Sequence, residues 1–201
     1  MRDIILLLSI VFSGVNVAYS QVGIGTTSPT AQLEIEANNT GIPALEINPQ
    51  TSPTGSAEGQ LAVIGDRLYM YNVSRAKWLS IETTTLLFGR SGNQDNVNLR
   101  AVANQSNNRS GYLMPFDGTI TYITAKSNNN SGAQSKQFSV LVRNGNTTNS
   151  TTNFTTSSSE YTSTAVDVDF SAGDYINGTI NNDGNGNVNN VSIMICVKWR
   201  Q

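Results

Sequence analysis

Histidine is absent from the chain, cysteine occurs once, and only 13% of residues are charged. Without histidine the commonest general base and the commonest transition-metal ligand are missing. An ordinary Ser-His-Asp arrangement is therefore excluded, despite the many serines. The single cysteine, Cys196, excludes an intrachain disulfide and a zinc site built from clustered cysteines. Set inside an apolar alternation, it reads as a small buried hydrophobe rather than a reactive thiol. Lys and Arg number 12 against 14 Asp and Glu, a net charge of −2. With no basic stripe, nucleic-acid binding has no electrostatic footing. No P-loop or dinucleotide fingerprint is present.

Long apolar runs are also missing, with one exception. Arg2 precedes Ile4-Ile-Leu-Leu-Leu-Ser-Ile-Val-Phe12, and Ala18-Tyr-Ser20 places small residues at the −3 and −1 positions. This pattern predicts a secretory signal peptide over residues 1–20, cleaved before Gln21. The run falls short of the ~20 residues a membrane span needs. The expected localisation is secreted, extracellular or on the cell surface, with no membrane insertion after cleavage.

What the chain has in quantity is Asn, Ser, Thr and Gly, which suit short strands and tight turns. Residues 21–59 are linker-like but patterned. Val22-Gly-Ile-Gly-Thr-Thr-Ser-Pro29 leads into Ala31-Gln-Leu-Glu-Ile35, and a second Leu-Glu-Ile triplet ends at Ile47 after the turn material Asn38–Pro43. Each triplet reads as a short strand with Leu and Ile on one face and Glu on the other. An isolated pair of such strands is marginal, so the segment either frays or winds around sister chains as a stalk. Val22–Ile35 resembles a motif that recurs in phage tail-fibre stalks and in secreted bacterial surface proteins of tail-fibre type. The resemblance implies a trimeric fibre-like protein.

After the Pro/Gly/Ser hinge Thr51–Gly59, residues 60–83 predict a β-meander. Gly65-Asp66 is a hairpin signal between Leu61–Ile64 and Leu68–Tyr71, and Lys77–Ile81 follows a second turn. Tyr69, Tyr71 and Trp78 are expected to form a small core between stalk and head. A sugar-contacting platform is the alternative.

Residues 84–201 predict a sandwich head of short antiparallel strands. They are Thr84–Gly89, Asn98–Val102, Gly111–Met114, Thr119–Ser127, Gln137–Asn144, Thr164–Phe170, Asp174–Asn181 and Val191–Arg200, with the segment around Phe154 a further strand or an edge. The loops Asn104–Arg109, Asn128–Lys136 and Asn144–Asn153 are the expected recognition surface. Asp117–Lys126, Phe138–Gly145, Val166–Tyr175 and the terminal strand, taken in order, are similar to the trimeric jelly-roll heads of tumour-necrosis-factor and complement-globular-head type, and to bacterial and viral fibre tips. That resemblance implies that the last strand lies in the inner sheet, near a three-fold axis. The expected fold is all-β: a short N-terminal β-stalk and β-meander, then a jelly-roll sandwich, homotrimeric.

The last strand carries the sharpest pattern. Val191, Ile193, Ile195, Val197 and Trp199 alternate with Ser192, Met194, Cys196 and Lys198, the period of a strand. The first set is expected to face the core. Met194 and Cys196 make the second face half apolar, so they are expected at the trimer interface.

Catalytic candidates are sparse. Asp167 and Asp169 share one strand face, with Asp174 beyond the next turn, and paired carboxylates could serve a glycosidase. A solvated strand face explains them as well. The loop Asn181–Asn187 superficially resembles a calcium loop with Gly186 at its turn, but Ser192 stands where the bidentate Glu belongs. A Gly/Asn turn is the favoured reading, and no cofactor is expected. The chain is therefore read as a non-enzymatic secreted structural or adhesive protein, a fibre- or filament-like trimer that attaches to a surface receptor or glycan. A lectin-type glycan-binding module and a virion spike or fibre component are the alternatives.

Overall fold

The computed structural model describes residues 21–38, 41–101, 111–128, 136–156, 160–181, 183–184 and 186–201. The expected signal peptide, the loop Asn104–Arg109 and most of the loop Asn128–Lys136 lie outside the described residues. The chain divides into two compact units, Met1–Asn48 and Pro49–Gln201. Among the described residues there is no helix, and hence none long and apolar enough to cross a membrane.

In the first unit, β1 (Val22–Ile24) pairs in parallel with β2 (Leu33–Ile35). Val22 sits opposite Leu33 and Ile24 opposite Ile35, so the apolar residues of both strands share one face. Parallel partners ordinarily need a long crossover. Strands of three residues turn back within residues 25–32, helped by Gly25 at φ +82°, a region open to glycine. Glu34, on the opposite face, accepts hydrogen bonds from the Thr30 amide and hydroxyl. These contacts, the amide foremost, hold its carboxyl below the ordinary value. Val22, Ile24, Leu33 and Leu45 are all more than half exposed. The second triplet, Leu45–Ile47, does not form the expected strand.

The second unit opens with the meander β3 (Leu61–Ile64), β4 (Arg67–Asn72) and β5 (Lys77–Ser80), antiparallel throughout. Gly65 supplies the left-handed conformation of the predicted hairpin, at φ +61°. Ala62, Ile64 and Tyr69 form a small buried cluster against Trp78.

Two five-stranded antiparallel sheets follow. Their strands are β6 (Thr84–Gln94), β7 (Val97–Asn98), β8 (Tyr112–Leu113), β9 (Gly118–Asn128), β10 (Lys136–Asn144), β11 (Thr147–Thr156), β12 (Glu160–Ser163), β13 (Val168–Phe170), β14 (Tyr175–Ile180) and β15 (Val188–Trp199). One sheet runs β12-β9-β15-β6 with β13 also on β9, and the other runs β11-β10-β14-β7 with β8 also on β14. A single apolar cluster draws Leu86, Phe88, Ile120, Ile123, Ile193, Ile195 and Val197 from the first sheet, and Phe138, Val140, Val142, Phe154, Ile176 and Ile180 from the second. This is the arrangement of a β-sandwich. Phe154 stacks between Phe138 of its own sheet, at 5.6 Å, and Tyr161 of the facing sheet, at 4.5 Å. The three rings close one flank of the sandwich.

Several predicted boundaries are corrected. The stretch Asn144–Asn153, expected as a loop, is largely β11, an edge strand paired only with β10 among the described residues. Its alternation is carried by Ser150, Thr152, Phe154 and Thr156, so the apolar signal is weak although the period is present. Of the single strand expected over Thr164–Phe170, only β13 (Val168–Phe170) forms; residues 164–167 are irregular, and β12 lies just before them. The Arg75 guanidinium accounts for the break, because it donates to the carbonyls of Thr164 and Val166 there.

Candidate functional site

The terminal strand β15 lies between β6 and β9. Val191, Ile193, Ile195 and Val197 are buried in the sandwich core. Trp199 is half-buried, edge-on to Phe116 at 5.7 Å and to Phe170 at 6.4 Å. The strand begins three residues earlier than predicted, at Val188, because a bulge at Asn189–Val191 restores the alternation. Asn190 takes φ +51° there and accepts a hydrogen bond from the Gly92 amide at 2.9 Å.

Met194 and Cys196 point to the other side of the sheet. Met194 sits between Leu87 and Thr124, and Cys196 between Thr85 and Tyr122. Both are half-buried, and Leu87 beside them is 59% exposed. Cys196, expected as a small buried hydrophobe on the face assigned to an interface, is half-buried in the single chain; its sulfur lies 4.0 Å from the Thr85 hydroxyl. The next residue on this face, Lys198, is covered by the meander. It lines a cavity of about 80 Å³ with Met70, Leu79, Arg75 and Thr121, and its ammonium donates to the Ser80 carbonyl at 3.0 Å. Burial, and then the Arg75 charge, pull its pKa below 10.5.

The meander aromatics do not form an open platform. Tyr69 is 6% exposed and belongs to the small core. Tyr71 and Trp78 pack on each other at 5.3 Å. Trp78 Nε1 donates to the Pro53 carbonyl, and Gly55 lies so close to the Tyr71 ring that a Cβ there would overlap it. These rings are packing elements.

The carboxylates singled out as acid–base candidates have structural partners. Lys77 Nζ donates to Asp167 at 2.8 Å and to Asp169 at 2.7 Å, and Asp169 also accepts from the Thr119 hydroxyl. Burial pushes the Asp169 carboxyl up, but the Lys77 and Thr119 hydrogen bonds and the Arg200 charge outweigh it, leaving the pKa below 3.8. Asp174 is buried and accepts from the Ser171 amide and from the Asn144 and Asn149 amide groups, which fixes the β13–β14 turn.

The loop weighed for calcium is tied down by a cation of the chain itself. Lys136, whose side chain is fully buried, places Nζ 2.9 Å from Asp183 and against Asp95. The second Asp183 oxygen accepts from the Gln137 amide. Among the described residues no group of three or more acidic, His or Cys side chains is placed to hold a metal.

Sequence reasoning missed one large cleft. About 580 Å³ in volume, it is lined by Gln50, Thr51, Asp66, Arg67, Tyr69 and Phe116, among others. The Arg67 guanidinium lies over the Phe116 ring, 4.0 Å from its centroid. Arg67 and Phe116 are far apart in sequence, and no local pattern joins them. No known family model, curated protein or solved structure matches the chain.

Proposed function

We propose that the protein is a non-enzymatic, exported structural and attachment protein that works as a homotrimer, with a tail-fibre-like stalk and a jelly-roll head. The observation that carries the reading is the outer face of the β12-β9-β15-β6 sheet. There Leu87, Met194, Cys196 and Tyr122 form an apolar strip that the meander covers only at the Lys198 end. An exposed apolar patch of this kind marks an association surface, and a symmetric assembly closes it with the same strand from each copy.

Strand order supports the jelly roll. Taking β7 with β8, and β12 with β13, as interrupted single strands, the chain reads A to H, with A-H-C-F in one sheet and B-G-D-E in the other. The exposed stripe Val22, Leu33 and Ile24, with Leu45 beyond it, supports a stalk wound from several chains. Two strands of three residues bury too little to hold alone. The engagement of Asp167 and Asp169 by Lys77 supports a role without acid–base chemistry.

Analytical ultracentrifugation of the purified protein tests the proposal, with a trimer expected. Met194→Asp is expected to give monomers that keep the far-ultraviolet signature of the fold. A wild-type monomer, or a trimer indifferent to this substitution, overturns the face assignment.

A further inference from the structure

We infer that the cleft around Arg67 binds a sugar bearing a carboxylate. Arg67 is the reason. Its side chain is 21% exposed, and its nearest acidic group, Glu82, is 3.9 Å away, outside hydrogen-bond reach. Among the described residues its guanidinium makes no hydrogen bond to the protein. Other arginines of this unit are used differently: Arg75 and Arg90 donate to backbone carbonyls.

A guanidinium carries its N–H donors in a rigid plane that matches a carboxylate in bidentate fashion. Here that plane is held by the Phe116 ring at 4.0 Å, with Trp199 at 6.0 Å. Holding the fork in place before binding lowers the entropy lost when a ligand arrives. The attraction is local, because the whole chain is acidic, with a net charge of −2. General electrostatic steering therefore does not explain recognition of an anion.

The rest of the cleft suits hydroxyls. Asp66, Gln50 and Gln201 bring a carboxylate and two amides to its walls, acceptors and donors that a polyol pairs with. Phe116 remains 46% exposed and offers an apolar surface for a sugar's C–H face. The volume falls within the ~300–1,000 Å³ typical of small-ligand sites. A bare inorganic anion would leave most of this space and these groups unused. The inference stands apart from the trimer reading, since none of Leu87, Met194, Cys196 and Tyr122 lines the cleft.

Titration of the purified protein with glucuronate, glucose, acetate and inorganic phosphate, followed by ligand-observed NMR, tests it. Glucuronate is expected to bind at least about tenfold more tightly than glucose, which lacks only the carboxylate, and more tightly than acetate or phosphate, which lack the ring. A tenfold ratio is the scale of one good charge-assisted contact. Arg67→Gln is expected to bring glucuronate down to the level of glucose, with the thermal melt reporting that the fold is kept. Equal binding of glucose and glucuronate in the wild-type protein overturns the role of the arginine. Acetate, phosphate or a peptide with a free C-terminus matching or exceeding glucuronate overturns the sugar. So does the lack of saturable glucuronate binding. A monomeric protein that still discriminates glucuronate would refute the assembly and leave this site standing.

Discussion

Two lysines in this molecule do the same chemistry in different surroundings. Lys136 holds Asp95 and Asp183 at one end of the sandwich, and Lys77 holds Asp167 and Asp169 where the meander meets β13. In both, burial pushes the ammonium pKa down, while hydrogen bonds and charge from two carboxylates outweigh it and raise the value above 10.5. They differ in access to water. The Lys136 side chain is fully buried with Asp183 at 15% and Asp95 at 31% exposure, whereas Lys77 is 20% exposed with its partners at 39% and 42%. A buried ion pair is weak evidence for net stability, but breaking one strands a charge in a poorly solvated place. A half-exposed pair lets water take over the abandoned carboxylates. Equal geometry therefore does not mean equal consequence.

The largest expected effect is from Lys136→Met, which leaves two acids facing an apolar chain and should cost ~3–5 kcal/mol in denaturant unfolding. A loss under about 1 kcal/mol would equate the two sites and break the comparison. Adding Asp95→Asn and Asp183→Asn to that variant should restore most of the loss, because the side-chain amide oxygen left at position 183 can still accept from the Gln137 amide. If the triple variant stays as unstable as the single one, packing rather than charge governs the site.

Lys77→Met should cost only ~1 kcal/mol or less, measured in the same way. The pH dependence sharpens the contrast. Because both ammonium groups have folded pKa values above 10.5, their contribution is complete below that pH and fades as pH rises through the folded value. On the alkaline side, the stability gap between wild type and Lys136→Met should therefore begin to narrow above about pH 10.5. The smallest effect is expected from Asp169. Its pKa is depressed below 3.8, so its contribution is present above that pH and is lost as pH falls through the folded value. Asp169→Asn should therefore lower stability slightly at neutral pH and flatten the decline below pH 3.8, so that the variant and the wild type converge in acid.

How much of this is legible in the chain depends on how far apart the interacting residues lie. The strands β9, β10 and β15 follow from apolar alternation, and the β3–β4 hairpin from Gly65-Asp66, because both signals sit within a few residues. β11 is half legible: Phe154 marks a further strand or edge, but Thr and Ser carry the period over residues 147–153, which read as loop. Lys136 has the polar neighbours of a loop rim, yet it is fully buried through partners 41 and 47 residues away. The spacing of Asp167 and Asp169 puts them on one face, but their cation lies about ninety residues upstream. The Arg67–Phe116 contact is non-local in the same way. Residue type predicts solvation for each of these groups, and the topology of the fold decides otherwise.

The Arg75 guanidinium, described above as the cause of the break between β12 and β13, also has a mechanical meaning. It reaches from the β4–β5 turn to the carbonyls of Thr121, Thr164 and Val166 on the sandwich. Ser80 adds a second tie, its hydroxyl accepting from the Trp199 amide and its carbonyl from Lys198. A pull that separates the meander from the sandwich has to break both ties. Pulled between Pro49 and Asn144 in single-molecule force spectroscopy, the meander of the wild-type protein should detach at a higher force than that of Arg75→Lys, and equal rupture forces would remove the role of the clamp. In the proposed attachment role, that joint sets the load the protein survives.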